Sequence, residues 1–344
     1  MSTAQAVTAR PTHGDAFPRR IVALGGGTGM PAVLRGLRRF VDAGHVEALT
    51  AIVTMTDDGG SSGRLRRYRG VPPPGDVRNC IVALSAEEEL LKGVFQHRYD
   101  GSDELGGHTL GNLMLAALAE QTGSFLRAVE VSSRVLRTVG TILPSTLDDV
   151  ALEATFEDGS RVVGESRVAA VGKRILRVEL RPRDAQPTPG ILDALQQADL
   201  IVLGPGSLYT SILPNVIVNG VGSALRQSGA VVVLVANFVG ERGEVVGLDV
   251  AGHVRVLEEH AGGRFLDGVL LHEGALPEQV LERYREEGMA LLSQGESLDP
   301  QLQVLKLRLA AVGTKLRHDP DATARGVIDL WAAVRRVTER VAGR

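Results

Sequence analysis

One cysteine, Cys80, stands in 344 residues. A single thiol cannot close an internal disulfide, and its rarity fits a reducing compartment. Aromatic residues make up only 3% of the chain, too few for the stacking platforms that hold single-stranded nucleic acid. Neither sign of charge dominates. The formal net charge is −3, so no basic field points to nucleic acid or to an anionic membrane. No uninterrupted apolar run reaches the roughly 20 residues that a membrane-spanning helix needs. Residues 1–18 are rich in Ala, Thr and Pro and have no apolar centre of the signal-peptide kind, so a disordered tail is expected there, ahead of one domain over 19–344. HExxH and every zinc-type spacing of His, Cys and Glu are missing. What remains reads as a soluble globular protein with an ordinary 44% hydrophobic and 23% charged content.

What is present is organised around residues 21–31, IVALGGGTGMP. Four apolar residues run into a glycine turn, and Pro31 opens a helix-spaced series, Val33, Leu34, Leu37 and Phe40. The pattern predicts strand, tight loop and helix. Gly26, Gly27, Thr28 and Gly29 would turn their N–H groups toward the helix start, where phosphate is favoured. Met30 occupies the place of a third dinucleotide-type glycine, and no Gly-Lys-Ser/Thr follows. A turn that merely closes a βα unit is the plain alternative.

A second strand is expected over 46–54. The following loop holds Asp57, Asp58, Ser61, Ser62 and Arg64, suited to Mg²⁺, ribose or phosphate at the carboxyl edge of a parallel sheet. The prolines of 72–74 lead to Asp76, expected to cap a helix over 77–85, with Arg78 and Asn79 in its first turn. Cys80 reads as packing. His108 and Asn112, four apart, are expected to share one helical face. His108 is a candidate base or donor, against the commoner structural histidine. Alternation around the Asp-Gly of 158–159 predicts a hairpin, and with a strand over 175–180 it makes an antiparallel insertion at about 141–182, a lid or an interface. The α/β rhythm then returns. A buried strand over 199–203 runs into Gly206, Ser207, Tyr209 and Thr210, and a strand over 230–235 ends at Asn237. Helices over 277–292 and 321–341 read as solvated surface. Loops converging from adjacent strands imply a nucleotide site in a Rossmann-like, doubly wound, mainly parallel α/β fold.

Five blocks in order, LGGGTGMPAVLRGL, VTMTDDGGSSGRLR, GVPPPGDVRNCIVALS, GGHTLGNLMLAAL and GPGSLYTSILPN, resemble the gluconeogenesis factor (YvcK-like) family, within the CofD-like 2-phospho-L-lactate transferases. The resemblance covers about residues 20–320. It implies growth and cell morphogenesis on gluconeogenic carbon sources, with UDP-N-acetylglucosamine-type ligands rather than cofactors. The CofD branch moves a phospholactyl group from a guanylyl diester to a deazaflavin hydroxyl with Mg²⁺. By motif match, Gly26, Gly27, Thr28, Gly29, Gly206, Ser207, Tyr209 and Asn237 would meet the nucleotide, and Asp57 and Asp58 the metal or phosphates. Tyr284 and Arg317 also match family positions for the sugar nucleotide. The resulting expectation is a regulator that binds a nucleotide sugar and acts through a cell-wall or metabolic protein partner, with a homodimer left open. No nucleophile–base pair is legible in the loops. A Mg²⁺-dependent transferase is the second expectation. A dehydrogenase is the third, weakened by the missing glycine and by the lack of an acidic residue at the usual spacing.

Overall fold

In the computed structural model, residues 17–86, 88–101, 103–240, 248–294, 298–313 and 315–342 are described. Seven strands form the central sheet: β1 Arg20–Gly25, β2 Ala48–Val53, β3 Thr141–Pro144, β4 Leu200–Leu203, β5 Val231–Val235, β6 Gly268–His272 and β7 Gln303–Leu307. Their order is β7-β6-β5-β4-β1-β2-β3, and every pairing is parallel. The chain therefore moves outward from β1 in one direction through β3, returns to β4 beside β1, and moves outward in the other direction. The crossovers reverse between β1 and β4, which is where a doubly wound sheet opens a ligand crevice.

The central strands are apolar throughout because both faces are covered. Ile21, Val22, Ala23 and Leu24 of β1 are all buried, as are the four residues of β4. One row of helices includes α1 Gly29–Asp42, α2 Gly60–Arg69, α3 Gly75–Leu84 and α4 Leu110–Thr122. A short helix, α5 Glu165–Val171, belongs to the insertion, and α6 Pro320–Ala342 closes the chain against α1 and strands β5, β6 and β7. Helices Ile191–Gln197, Val221–Gln227 and Val250–Ala261 pack as a second row. Among the described residues no single helix is long and apolar enough to cross a membrane.

The antiparallel insertion is present as strands Ala151–Phe156, Arg161–Val163 and Ile175–Arg181, with Ala151–Phe156 in the middle. Inside it, the buried Glu153 accepts both guanidinium arms of Arg181, each at 2.7 Å.

Four sequence expectations change. The insertion starts later than 141, because β3 belongs to the main sheet as its edge beside β2. The expected tail lies mostly outside the described residues, but its last two residues do not fit it: Pro18 is buried and the Phe17 ring stacks on His45 with centroids 4.4 Å apart. The last helix is no solvated surface element. Its charged face is exposed, yet Ala324, Val327, Leu330 and Trp331 fill the core, and the Trp331 indole N–H donates to the Asp199 carbonyl at 3.1 Å. The 277–292 segment ends in a short strand, Ala290–Leu291, after helix Glu278–Glu286.

The two halves of the sheet meet most tightly at Gly29. A Cβ there would stand 2.3 Å from the Pro205 carbonyl oxygen, a backbone atom that cannot turn aside. Gly29→Ala is therefore expected to lower stability by about 1–3 kcal/mol, read as a loss of several degrees in Tm. Gly93→Ala is the control: its added Cβ meets nothing within 4 Å, and Tm should hold or rise.

Candidate functional site at the sheet switch point

The loop after β1 and the loop after β4 lie side by side. Asn215, fully buried, donates to the carbonyls of Gly25 at 3.3 Å and Ser211 at 2.8 Å, tying the base of one loop to the helical turn after the other. Asn237, at the end of β5, accepts the Gly206 N–H at 3.0 Å and donates to the Gly206 carbonyl at 2.6 Å. That amide fixes the second loop as a backbone pair would. Thr28 stands at the N-cap position of α1, exposed, with no side-chain capping bond. Ser207 caps the turn that follows it through Thr210 N–H at 3.2 Å.

The first loop takes a positive φ of 62° at Gly27, and its N–H donates to the Asp76 carboxylate at 2.7 Å. Asp76 is thus not the expected cap. Pro74 holds the N-cap position of α3, and Asp76 sits inside the first turn facing the glycine loop. Burial pushes the Asp76 carboxyl up to about 6, with the nearby Asp57 charge adding to the shift against the Gly27 N–H and Arg78.

The loop after β2 is shorter than its composition suggests. α2 begins at Gly60, so Ser61, Ser62 and Arg64 lie on a helix rather than in a loop. The amino ends of α2 and α3 therefore converge, and Ser62 joins them by accepting the Gly75 N–H at 3.1 Å. Asp57 accepts the Gly59 N–H at 2.9 Å. Asp58 reaches into the insertion, where one oxygen accepts the N–H of Ser166 at 2.9 Å and its hydroxyl at 2.6 Å. Beside it, the Thr56 hydroxyl donates to Glu165 at 3.1 Å. Burial, reinforced by the charges of Asp57 and Asp76, pushes Glu165 up to about 9.

His108 does not share a helical face with Asn112, because α4 starts only after its N-cap Thr109. The two nevertheless meet at Ser61. Ser61 Oγ lies 2.9 Å from His108 Nδ1 and 3.0 Å from Asn112 Nδ2. Arg78 donates to Asn112 Oδ1 at 2.9 Å, to Asn79 Oδ1 at 2.8 Å, and to the Thr109 hydroxyl. Burial lowers the imidazole pKa of His108, and the cations Arg64 and Arg98 lower it further. Arg64 donates to the Gly106 carbonyl and Arg98 to the Gly107 carbonyl, each at 2.5 Å.

Some of these groups line a cavity of about 250 Å³ at the amino ends of α2 and α3, whose wall includes Asp57, Ser61, Asp76, Arg78, Asn79 and Asn112. The glycine-loop residues Gly26, Gly27, Thr28, Gly29, Gly206 and Ser207 do not line it, nor do Asp58, Arg64, His108 and Asn237, and three more expected residues are engaged elsewhere. Tyr209 offers neither face nor hydroxyl to a ligand: it is buried, and its OH donates to the Ile175 carbonyl of the insertion at 3.2 Å. The Tyr284 OH accepts the Leu316 N–H at 3.0 Å, while Arg317 is exposed on strand Leu316–His318. Neither lines this cavity. Glu165, Thr56 and Arg98 were not legible as site residues, since each is brought in by contacts that no local pattern marks. Cys80 is buried packing, as expected.

Among the described residues no three His, Cys, Asp or Glu side chains converge as a metal cage. Mg²⁺ seldom needs one, because it is held through one or two carboxylates, water and substrate phosphates.

The family model described as 2-phospho-L-lactate transferase CofD matches residues 21–310. The chain is 44% identical over 269 residues to a gluconeogenesis factor from Halalkalibacterium halodurans, covering 78% of this chain and 82% of that one. It is 41% identical over 315 residues to the gluconeogenesis factor of Bacillus subtilis, covering 90% and 98%. A crystal structure from Bacillus halodurans, described as a member of the UPF0052 family, is similar with a TM-score of 0.84 and 39% identity, over 90% of this chain and 98% of that one.

The raised Glu165 carboxyl has a signed consequence. Its pKa of about 9 exceeds the unfolded value of 4.5, so the folded chain holds a proton that the unfolded chain gives up. Stability contributed by this group is complete below about pH 4.5 and is lost as pH rises toward 9. Glu165→Gln keeps the shape without the titration. It is expected to match the wild type at pH 5 and to exceed its denaturant midpoint at pH 8.5; equal midpoints at both would contradict this.

Proposed function

Because the chain belongs to the 2-phospho-L-lactate transferase CofD family, we propose that it binds a nucleotide sugar of the UDP-N-acetylglucosamine type at the carboxyl edge of β1, β2 and β4. In this reading it is a cytoplasmic regulator of growth and cell shape on gluconeogenic carbon, acting through a metabolic or cell-wall protein partner. The names of its relatives support the gluconeogenic part of that role. The observation that carries the reading is the pairing of two glycine loops across the switch point, with the unsealed amino end of α1 between them. Backbone N–H groups and a helix dipole favour a diphosphate there. Thr28, Gly29, Gly206 and Ser207 are the residues assigned to it, with Tyr284 and Arg317 reserved for the sugar.

Asp57 is the better of the two proposed Mg²⁺ ligands. Each has one oxygen engaged, Asp58 by Ser166 and Asp57 by the Gly59 N–H, but only Asp57 lines the cavity, and its charge adds to the upward shifts of Asp76 and Glu165. A cation bridging to phosphate oxygens would offset that crowding of acids. A second reading, a CofD-like transferase, gains from one observation: Ser61 and His108 form a hydroxyl–imidazole pair at the cavity.

Calorimetry against UDP-N-acetylglucosamine, UDP-glucose, GTP and NAD, with and without Mg²⁺, tests both. UDP-sugars are expected to bind and be recovered unchanged. Asn237→Ala should weaken binding about 10-fold by releasing Gly206, and Asp57→Asn should remove any Mg²⁺-dependent part. Binding confined to a guanine nucleotide with Mg²⁺, with the nucleotide consumed, would favour the transferase.

A further inference from the structure

The hydrogen bonds behind the cavity have one direction as far as Ser61. An arginine only donates, so the Asn112 atom facing Arg78 at 2.9 Å is its carbonyl oxygen. The Asn112 amide nitrogen therefore faces Ser61, and Ser61 Oγ accepts from it at 3.0 Å. A hydroxyl has one proton and two lone pairs, and His108 Nδ1 lies 2.9 Å from it. In the neutral ring that carries its proton on Nε2, Nδ1 accepts the Ser61 proton; in the other tautomer Nδ1 donates to the second lone pair. In the Nε2–H tautomer the sequence Arg78, Asn112, Ser61, His108 is a relay that ends on a base.

Ser61 lies in the cavity wall, whereas His108 stands behind it and is not part of the wall. In the Nε2–H tautomer, with one lone pair given to Asn112 and its proton to His108, Ser61 Oγ faces the cavity as an acceptor and can accept from a hydroxyl. The charged groups facing His108 are Arg64 on α2 and Arg98 on the segment before Tyr99, both cations. With burial, they keep the ring in its neutral form and favour the return of any proton it takes.

We propose that Ser61 is a catalytic residue that takes the proton of an acceptor hydroxyl at Oγ while its own proton passes to His108 Nδ1, with Asn112 and Arg78 as positioning residues. This rests on the transferase reading. The acceptor oxygen forms a new bond to a phosphorus of a nucleotide diphosphate ester. The bond from that phosphorus to the leaving nucleotide phosphate breaks, and its electron pair leaves with the nucleoside monophosphate. The acceptor's proton ends on Ser61, Ser61's former proton on His108, and the imidazolium returns its proton to solvent after release.

Two measurements on the full chain decide this. The first is nitrogen-15 NMR of the imidazole. Neutral His108 is expected to carry its proton on Nε2, and the Nδ1 signal should shift in Ser61→Ala. A proton on Nδ1, or no response to Ser61→Ala, overturns the relay whatever the turnover. The second is transfer from a guanylyl diester of phospholactate to glycerol with Mg²⁺, followed by phosphorus NMR. Ser61→Ala and His108→Gln are expected to lower kcat about 100-fold or more with KM nearly constant, Ser61→Thr to restore part of it, and His108→Gln to flatten the acid side of the pH profile. Transfer that survives both substitutions overturns the relay and leaves the transferase reading standing. Absence of transfer by the wild type overturns that reading and this proposal with it.

Discussion

The Asp76 carboxylate accepts the Gly27 N–H from 49 residues away, and the architecture of the site depends on that contact. It sets the first glycine loop against the amino end of α3. It places a buried acid where the loop would otherwise present its N–H to a ligand. Because α3 is in turn joined to α2 through Ser62, moving Asp76 would disturb the β1 loop, the Asp57 turn and the Ser61 relay together. A carboxylate in this position costs desolvation, which its raised pKa records. That cost is offset by the order it imposes on three elements distant in sequence.

Opposite charges are then distributed with a purpose that chemistry can state. The amino ends of α1, α2 and α3 give the crevice a positive backbone potential. Arg78 and Arg98 add to it along one wall. Asp57 and Asp76 oppose it, and burial together with their charges pushes the nearby Glu165 carboxyl up. Such a split suits a ligand that is anionic at one end and rich in hydroxyls at the other.

Much of the sheet was readable because buried parallel strands are continuous apolar runs, and β1, β2, β4 and β5 all announce themselves. The glycine loops were readable for the same reason: each follows such a strand. Misreadings came where one residue type serves two ends. Gly60, Ser61 and Ser62 look like a flexible loop, but Ser is at home at a helix start, and α2 begins there. Tyr209 sits in a glycine loop yet turns inward, which only packing decides. Glu165 closes a hairpin in sequence, and its link to Thr56 spans 109 residues. The Ser61–His108 pair joins a helix start to a segment 47 residues on, through atoms rather than spacing.

The insertion is fastened on both sides of the crevice. Asp58 and Thr56 hold its short helix on the β2 side, and Tyr209 holds strand Ile175–Arg181 on the β4 side. It therefore works as a tie beam across a joint. Any occupant that spreads the two loops loads both fastenings at once, and the three-stranded sheet between them must tilt as a unit. Its free edge, Arg161–Val163, has Val163 exposed to solvent.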